Sequence, residues 1–156
     1  MDIVCKATVL WKRSASERFI DNKYDRSHKW NFDGGIVVPA SSSPHVVPVP
    51  LSNENAVDPE EALVASASSC HMLWFLSIAA KKQWLVESYA DNAIGIMGKN
   101  EHGKIAMTKI ILNPKVIFGE NKKPTLGELQ QLHHMAHENC TIAHSLKTTI
   151  EIILED

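Results

Sequence analysis

The segment from Asp58 to Lys82 constrains the fold of this chain more than any other feature. The stretch Ala62–Ala80 contains no charged side chain and is nearly as long as the roughly 20 apolar residues that span a bilayer. It also contains four serines, one histidine and many alanines. That composition favours a helix buried on all sides in the core of a soluble protein. We therefore expect one long central helix and no membrane partner.

The beginning and the end of this helix are marked by its residue types. Asp58 suits the N-cap, Pro59 suits the first helical position, and Glu61 completes a capping-box arrangement. Lys81 and Lys82 suit the other end, because cations interact favourably with the C-terminal end of the helix dipole. These signals predict a helix over about residues 58–82.

Other segments carry strand and turn signals. Strands are predicted at 3–11, 30–38, 86–97, 105–118 and 146–154, and the segment 17–20 is a candidate hairpin partner of the first strand. Asp33-Gly34-Gly35 predicts a tight turn. The Ser/Pro-rich segment 39–55 predicts a long loop, a type that is more often functional than idle.

A second helix is predicted from Pro124-Thr125 onward, since Leu126, Leu129 and Leu132 recur at helical spacing. The resulting order is strands, long helix, hairpin, helix and strand. It predicts a single α+β domain over residues 1–156 with a largely antiparallel sheet.

Composition narrows the function classes. The formal net charge of −2 is made of interspersed signs, and the absence of a basic stripe argues against a nucleic-acid partner. The first residues lack the pattern of a signal peptide. Three irregularly spaced cysteines fit a reducing compartment better than a disulfide framework. We expect a cytoplasmic protein.

Two cysteines lie in contexts that suggest redox chemistry. Cys70 stands beside His71 in the long helix, and Cys140 follows a His-rich amphipathic stretch. A buried thiol is more often an inert packing residue, so the bland interpretation of Cys70 is a small apolar side chain. The functional interpretation is a nucleophilic thiolate at Cys70. Cys140 is then a resolving thiol or a metal ligand.

A metal site is the alternative for the second region. His133, His137, Cys140 and His144 are spaced so that they would share one helical face if the helix continued. Imidazole and thiolate groups are common zinc ligands. This alternative requires a helix that continues through Thr141-Ile142. A non-enzymatic dimer that binds a small ligand or a metal therefore remains a second possibility.

Two charged residues are candidates for activating a thiol. Arg26 precedes a predicted strand and could stabilise a thiolate, although a solvated arginine is the default. Glu60 lies ten positions before Cys70, so a straight helix separates the two by about 15 Å. If they share a site, either two chains form it or the helix is broken.

Several segments together resemble the OsmC/organic hydroperoxide resistance family. The resemblance rests on Asp58-Pro59-Glu60-Glu61, Cys70, Ala136-His137-Glu138-Asn139-Cys140, Ser145-Leu146-Lys147-Thr148, Arg26 and Asp33-Gly34. It implies an OsmC-like fold, an intertwined homodimer with long central helices, and active sites at the subunit interface. No cofactor is implied.

The resemblance also implies a function and a set of site residues. Cys70 would be the peroxidatic cysteine, Cys140 the resolving cysteine, and Arg26 with Glu60 the pair that activates the thiolate. The implied activity is reduction of organic hydroperoxides, with a dithiol such as a lipoylated protein as reductant.

The chain also departs from the family pattern. It has Asp25-Arg26-Ser27-His28 where Gly-Arg-x-Gly is common, and the 39–55 loop is expected to reshape the pocket. Cys5, His71, His137 and His144 have no assigned role.

Overall fold

The computed structural model describes residues 2–119 and 122–154. These residues form eight strands and three helices in two compact units, one up to Ala62 and one from Leu63 onward. In chain order the elements are β1 (Ala7–Leu10), β2 (His28–Phe32), β3 (Val37–Ala40), α1 (Pro59–Lys81), β4 (Val86–Asp91), β5 (Ile94–Lys99), β6 (Ile105–Leu112), β7 (Pro114–Phe118), α2 (Leu126–Asn139), α3 (Thr141–Ser145) and β8 (Thr149–Ile152).

The first unit contains an antiparallel sheet in the order β1-β2-β3. The turn expected at Asp33-Gly34-Gly35 joins β2 to β3, and Gly35 has a φ of 87°, a conformation that glycine adopts without a Cβ penalty. The expectation that residues 17–20 pair with the first strand is wrong, because β2 is its partner. Phe19 and Asn22 have φ values of 65° and 61°, which interrupt an extended chain there.

The segment after β3 is anchored by backbone hydrogen bonds. The predicted loop over 39–55 begins later than expected, because β3 extends to Ala40. The Ser41 N–H then donates to the carbonyl of Val57 at 3.0 Å. The buried Ser41 hydroxyl oxygen accepts from the N–H of Asn53 at 3.0 Å. The two ends of this segment are therefore held together.

The capping box predicted for α1 is confirmed. The Asp58 carboxylate accepts from the N–H of Glu61 at 2.8 Å, and the Glu61 carboxylate accepts from the N–H of Asp58 at 2.9 Å. The helix ends at Lys81, within one residue of the prediction, and Gln83 has a φ of 63° that leads the chain away from the helical path.

The second unit contains a β4-β7 pair and a β5-β6-β8 sheet. Among its described strands the β6–β8 pairing is parallel and the other pairings are antiparallel. Each of the two strands expected at 86–97 and 105–118 is divided in two. Polar contacts hold the break in place. The backbone N–H of Asn113 donates to the Asp91 carboxylate at 2.7 Å. The Asn113 side chain also donates to the carbonyl of Asn92 at 3.2 Å.

The core of the second unit forms around one face of α1. Its larger cluster comprises Phe75, Ile78, Ala79, Trp84, Phe118, Leu132 and Ala136, and the smaller one Ala67, Ile110 and Leu112. The expectation of a helix buried on all sides is wrong for the single chain, because Leu73 is 60% exposed. By length and composition alone α1 could cross a membrane, a test that core helices also pass.

Gly95 in β5 provides a direct test of this packing. A Cβ at Gly95 would lie 2.6 Å from both Met107 Sδ and Val64 Cγ2. Met107 can move, but the β-branched Val64 is held by its helix. We expect Gly95→Ala to lower the free energy of unfolding by about 1–3 kcal/mol in a urea titration.

Gly127, in α2, provides the control. A Cβ there meets open space, so Gly127→Ala should raise the free energy of unfolding by up to about 1 kcal/mol. Equal effects of the two substitutions would contradict the close packing at Gly95.

Candidate functional site

Cys70 and Cys140 come together in the second unit. Cys70 lies partly exposed in the middle of α1, whereas Cys140 is 1% exposed. Cys140 is both the C-cap of α2 and the N-cap of α3, where its sulfur accepts from the N–H of Ala143 at 3.5 Å. The two thiols are close enough that each affects the pKa of the other, and both cysteines are free.

The surroundings of Cys70 favour its thiolate. Partial burial acts to raise the pKa of Cys70, but hydrogen bonds act in the opposite direction and outweigh it. They come from the thiol of Cys140, from the backbone amides of Ile142 and Thr141, and from the Thr141 side chain. The pKa of Cys70 therefore lies below that of an ordinary thiol. Such a thiol is the more nucleophilic partner of a pair at neutral pH.

The surroundings of Cys140 have the opposite effect. Burial raises the pKa of Cys140 to about 11, and the hydrogen bond to Cys70 contributes in the same direction. The N–H of Ala143 opposes this shift without reversing it. Cys140 therefore keeps its proton and can donate it toward Cys70.

A cavity of about 370 Å³ opens beside Cys70. Its lining combines apolar and hydroxyl side chains: Ser66, Ser69, Leu73, Trp74, Thr141 and Ile142. The Thr141 hydroxyl lies 3.7 Å from the Cys70 sulfur. Sequence reasoning missed Thr141, although its position directly after Cys140 was a signal that could have identified it.

Arg26 and Glu60 line a second cavity, of about 460 Å³, formed by residues of the first unit. One wall is aromatic, with ring centroids 5.6 Å apart for Trp11 and Phe19 and 4.7 Å apart for Phe19 and Tyr24. The cavity thus places a cation, a carboxylate and an apolar wall together. The aromatic residues were not predicted, because they are spread over a segment without regular structure.

The Arg26–Glu60 ion pair implied by the family resemblance is not formed among the described residues. The Arg26 guanidinium instead donates to the carbonyl and side-chain oxygens of Asn22 at 3.0 and 2.9 Å. It also stacks 3.7 Å from the ring centroid of Tyr24. One carboxylate oxygen of Glu60 is buried with no hydrogen-bond partner in the described part of the chain. The two residues share a cavity, but each has a different environment from the one expected.

His28 supports the backbone at Arg26. The Trp30 indole N–H donates to His28 Nε2 at 3.0 Å, so that nitrogen carries no proton. His28 Nδ1 must then be protonated, and it donates to the carbonyl of Arg26 at 2.7 Å. The two hydrogen bonds therefore fix the orientation of the His28 ring.

The metal arrangement considered for the histidines is not formed. It requires a continuous helix, but α2 ends at Asn139 and the chain turns at Cys140. His144 lies beyond this break, where its ring nitrogen donates to the carbonyl of Glu138 at 2.8 Å. Across residues 2–119 and 122–154, no three potential ligand residues gather as a metal site.

His133 has a different partner, His71 in α1. The His71 Nε2 and His133 Nδ1 atoms are 2.9 Å apart, and the two rings are parallel within 1°. Both side chains are buried. Burial lowers the pKa of His71 to about 4 and that of His133 to about 3, because an imidazolium ion loses its hydration there. The pair is neutral at physiological pH.

A family model described as OsmC-like protein matches residues 52–155, a span that includes Glu60, Cys70 and Cys140. The chain belongs to the OsmC-like protein family. A search of curated proteins finds no match to it.

Solved structures extend this assignment to nearly the whole chain. An OsmC-like protein of unknown function from Vibrio cholerae O1 is 58% identical, with a TM-score of 0.97 over 99% of this chain and all of that one. An organic hydroperoxide resistance protein from Elizabethkingia anophelis, with thiocyanate bound, is 17% identical, with a TM-score of 0.71 and coverage of 99% and 95%. The protein OhrB of Bacillus subtilis is 15% identical, with a TM-score of 0.64 and coverage of 98% and 97%. The OsmC-like fold, with its antiparallel sheets and three helices, is thereby confirmed.

Proposed function

We propose that this OsmC-like protein is a thiol peroxidase that reduces organic hydroperoxides to alcohols. The observation that carries the proposal is the Cys70–Cys140 pair. Hydrogen bonding lowers the pKa of Cys70, whereas burial raises the pKa of Cys140. A low-pKa, partly exposed thiol beside a buried partner is the arrangement that a two-cysteine mechanism requires. The cavity at Cys70 gives a substrate access to the sulfur.

The proposed reaction begins at Cys70. Its thiolate attacks the outer oxygen of the hydroperoxide, the O–O bond breaks, and the alkoxide leaves and takes a proton to become the alcohol. Cys70 is then a sulfenic acid. Cys140 attacks that sulfur, water leaves, and a disulfide forms. An external dithiol, such as a lipoylated protein, returns both thiols by exchange and is itself oxidised.

Arg26 and Glu60 enter the proposal through a homodimer. α1 is continuous from Pro59 to Lys81, so the alternative of a broken helix does not apply. We propose that the Arg26–Glu60 cavity of one copy faces Cys70 of the other. The unpartnered Glu60 oxygen and the exposed apolar residue Leu73 support this arrangement. In the dimer Arg26 would stabilise the thiolate and the leaving oxygen, and Glu60, which does not pair with Arg26 in the single chain, would take up that pairing there.

The test is chemical. One equivalent of cumene hydroperoxide should convert the protein within seconds to a form lighter by two hydrogens, measured by intact mass spectrometry. Peptide mapping should assign the new bond to Cys70 and Cys140. Exposed Cys5 is an internal control that should stay alkylatable. A protein that keeps all three thiols after this treatment would refute the peroxidase.

A binding dimer is the second candidate function. It is favoured by the Arg26–Glu60 cavity, whose aromatic wall and charged groups all come from the first unit. Neither Cys70 nor Cys140 lines this cavity. In that case an apolar ligand with a polar end should quench the fluorescence of Trp11, and Cys70→Ser should leave the affinity unchanged. If the Cys70→Ser substitution abolished ligand binding, that result would favour the enzyme instead.

A further inference from the structure

We propose that the Thr141 hydroxyl donates a hydrogen bond to the Cys70 sulfur and holds the thiolate in position for attack. The inference rests on the proposed function for its catalytic meaning, but its geometry stands independently. The Cys70 Sγ and Thr141 Oγ1 atoms are 3.7 Å apart, within the range of hydrogen bonds to sulfur. A thiolate carries no hydrogen, so in the reactive state Thr141 must be the donor.

The hydroxyl is available because it has no helix-capping role. Thr141 is the first residue of α3, where hydroxyl side chains commonly cap a helix. Here the cap is Cys140, whose sulfur accepts from the N–H of Ala143. The Thr141 carbonyl is engaged separately, since the Ser145 hydroxyl donates to it at 2.8 Å. The position of Thr141 is thus fixed by its neighbours, and its own hydroxyl points to Cys70.

Thr141 completes a set of donors around one sulfur. The backbone amides of Thr141 and Ile142 and the thiol of Cys140 also act to lower the pKa of Cys70. The only side-chain hydroxyl in this set belongs to Thr141. A hydrogen bond to a charged acceptor is stronger than one to a neutral group. Removing the Thr141 hydrogen bond should therefore destabilise the thiolate of Cys70 more than its thiol.

The experiment compares Thr141→Val, which replaces the hydroxyl by a methyl group of similar size, with Thr141→Ser, which keeps the hydroxyl. Thr149→Val makes the same chemical change at an exposed position in β8 and serves as the matched control. The rate of Cys70 alkylation by iodoacetamide is measured against pH in a Cys5→Ser background. At pH 7 we expect alkylation of Thr141→Val to be about three- to tenfold slower than that of the parent protein.

The Thr141→Ser and Thr149→Val proteins should both retain the parent profile. A parent-like profile for Thr141→Val would overturn the inference, as would a Thr141→Ser profile that matches that of the valine variant. Because alkylation requires no peroxide, this outcome is independent of the proposed function. A shifted alkylation profile in a protein that never reduces a hydroperoxide would support the role of Thr141 and refute the peroxidase.

Discussion

Replacing Cys70 by serine should abolish hydroperoxide reduction. A serine hydroxyl stays protonated at neutral pH and cannot form a sulfenic acid, so the first step of the proposed mechanism is lost. We expect turnover of cumene hydroperoxide with a dithiol reductant to fall by at least about a thousandfold, to the level of the uncatalysed reaction. A Cys70→Ser protein with full activity would refute the mechanism.

Cys140→Ser separates the two cysteine roles. The first oxidation needs only Cys70, so this variant should consume one equivalent of hydroperoxide and then stop. The sulfenic acid left on Cys70 should be captured by dimedone and detected by mass spectrometry. Cys5→Ser is the control and should leave turnover unchanged. Sustained turnover by Cys140→Ser would exclude Cys140 as the resolving thiol.

The buried His71–His133 pair should make the protein sensitive to mild acid. In the unfolded chain each imidazole takes up a proton near pH 6.5, whereas in the folded protein the pKa values are about 4 and about 3. The contribution of the neutral pair to the free energy of unfolding is therefore complete above pH 6.5, and it is lost as the pH falls toward these lower values. Between pH 7.5 and pH 5 each histidine should remove about 2 kcal/mol from the free energy of unfolding.

Urea titrations at pH 7.5, 6.5, 5.5 and 5 measure this loss. The range ends at pH 5 because carboxylates titrate mainly below it. His102 is exposed, and His102→Gln is the control that should keep the full pH dependence. The double substitution His71→Gln with His133→Gln should flatten the curve. A wild-type free energy of unfolding that is constant between pH 7.5 and pH 5 would contradict a neutral buried pair.

The helices were largely predictable because their signals are local. The Asp58–Glu61 capping box and the Thr125–Glu128 capping box each lie within four consecutive residues and fix where a helix begins. The strand breaks were not predictable. They depend on Asn113 bonding to Asp91, 22 positions away, and the sequence does not reveal that contact.

The same distinction applies to the site. Cys70 and Cys140 could be proposed as a pair because several motifs together resembled a family. The contact of His133 with His71, 62 positions away, could not be inferred, and the histidine spacing suggested a metal site instead. The resemblance also implied an Arg26–Glu60 ion pair, but Arg26 is held by Asn22 and by the ring of Tyr24.

Cys70 and Thr141 are in contact in the folded protein but are 71 positions apart in the chain, so they are made at different times. During synthesis Cys70 leaves the ribosome long before the residues that donate hydrogen bonds to it exist. Until α2 and α3 have folded against α1, its sulfur has the modest reactivity of any free cysteine. The contacts that lower the pKa of Cys70 therefore arise only when the second unit folds, and the pKa of this thiol distinguishes the folded chain from the nascent one.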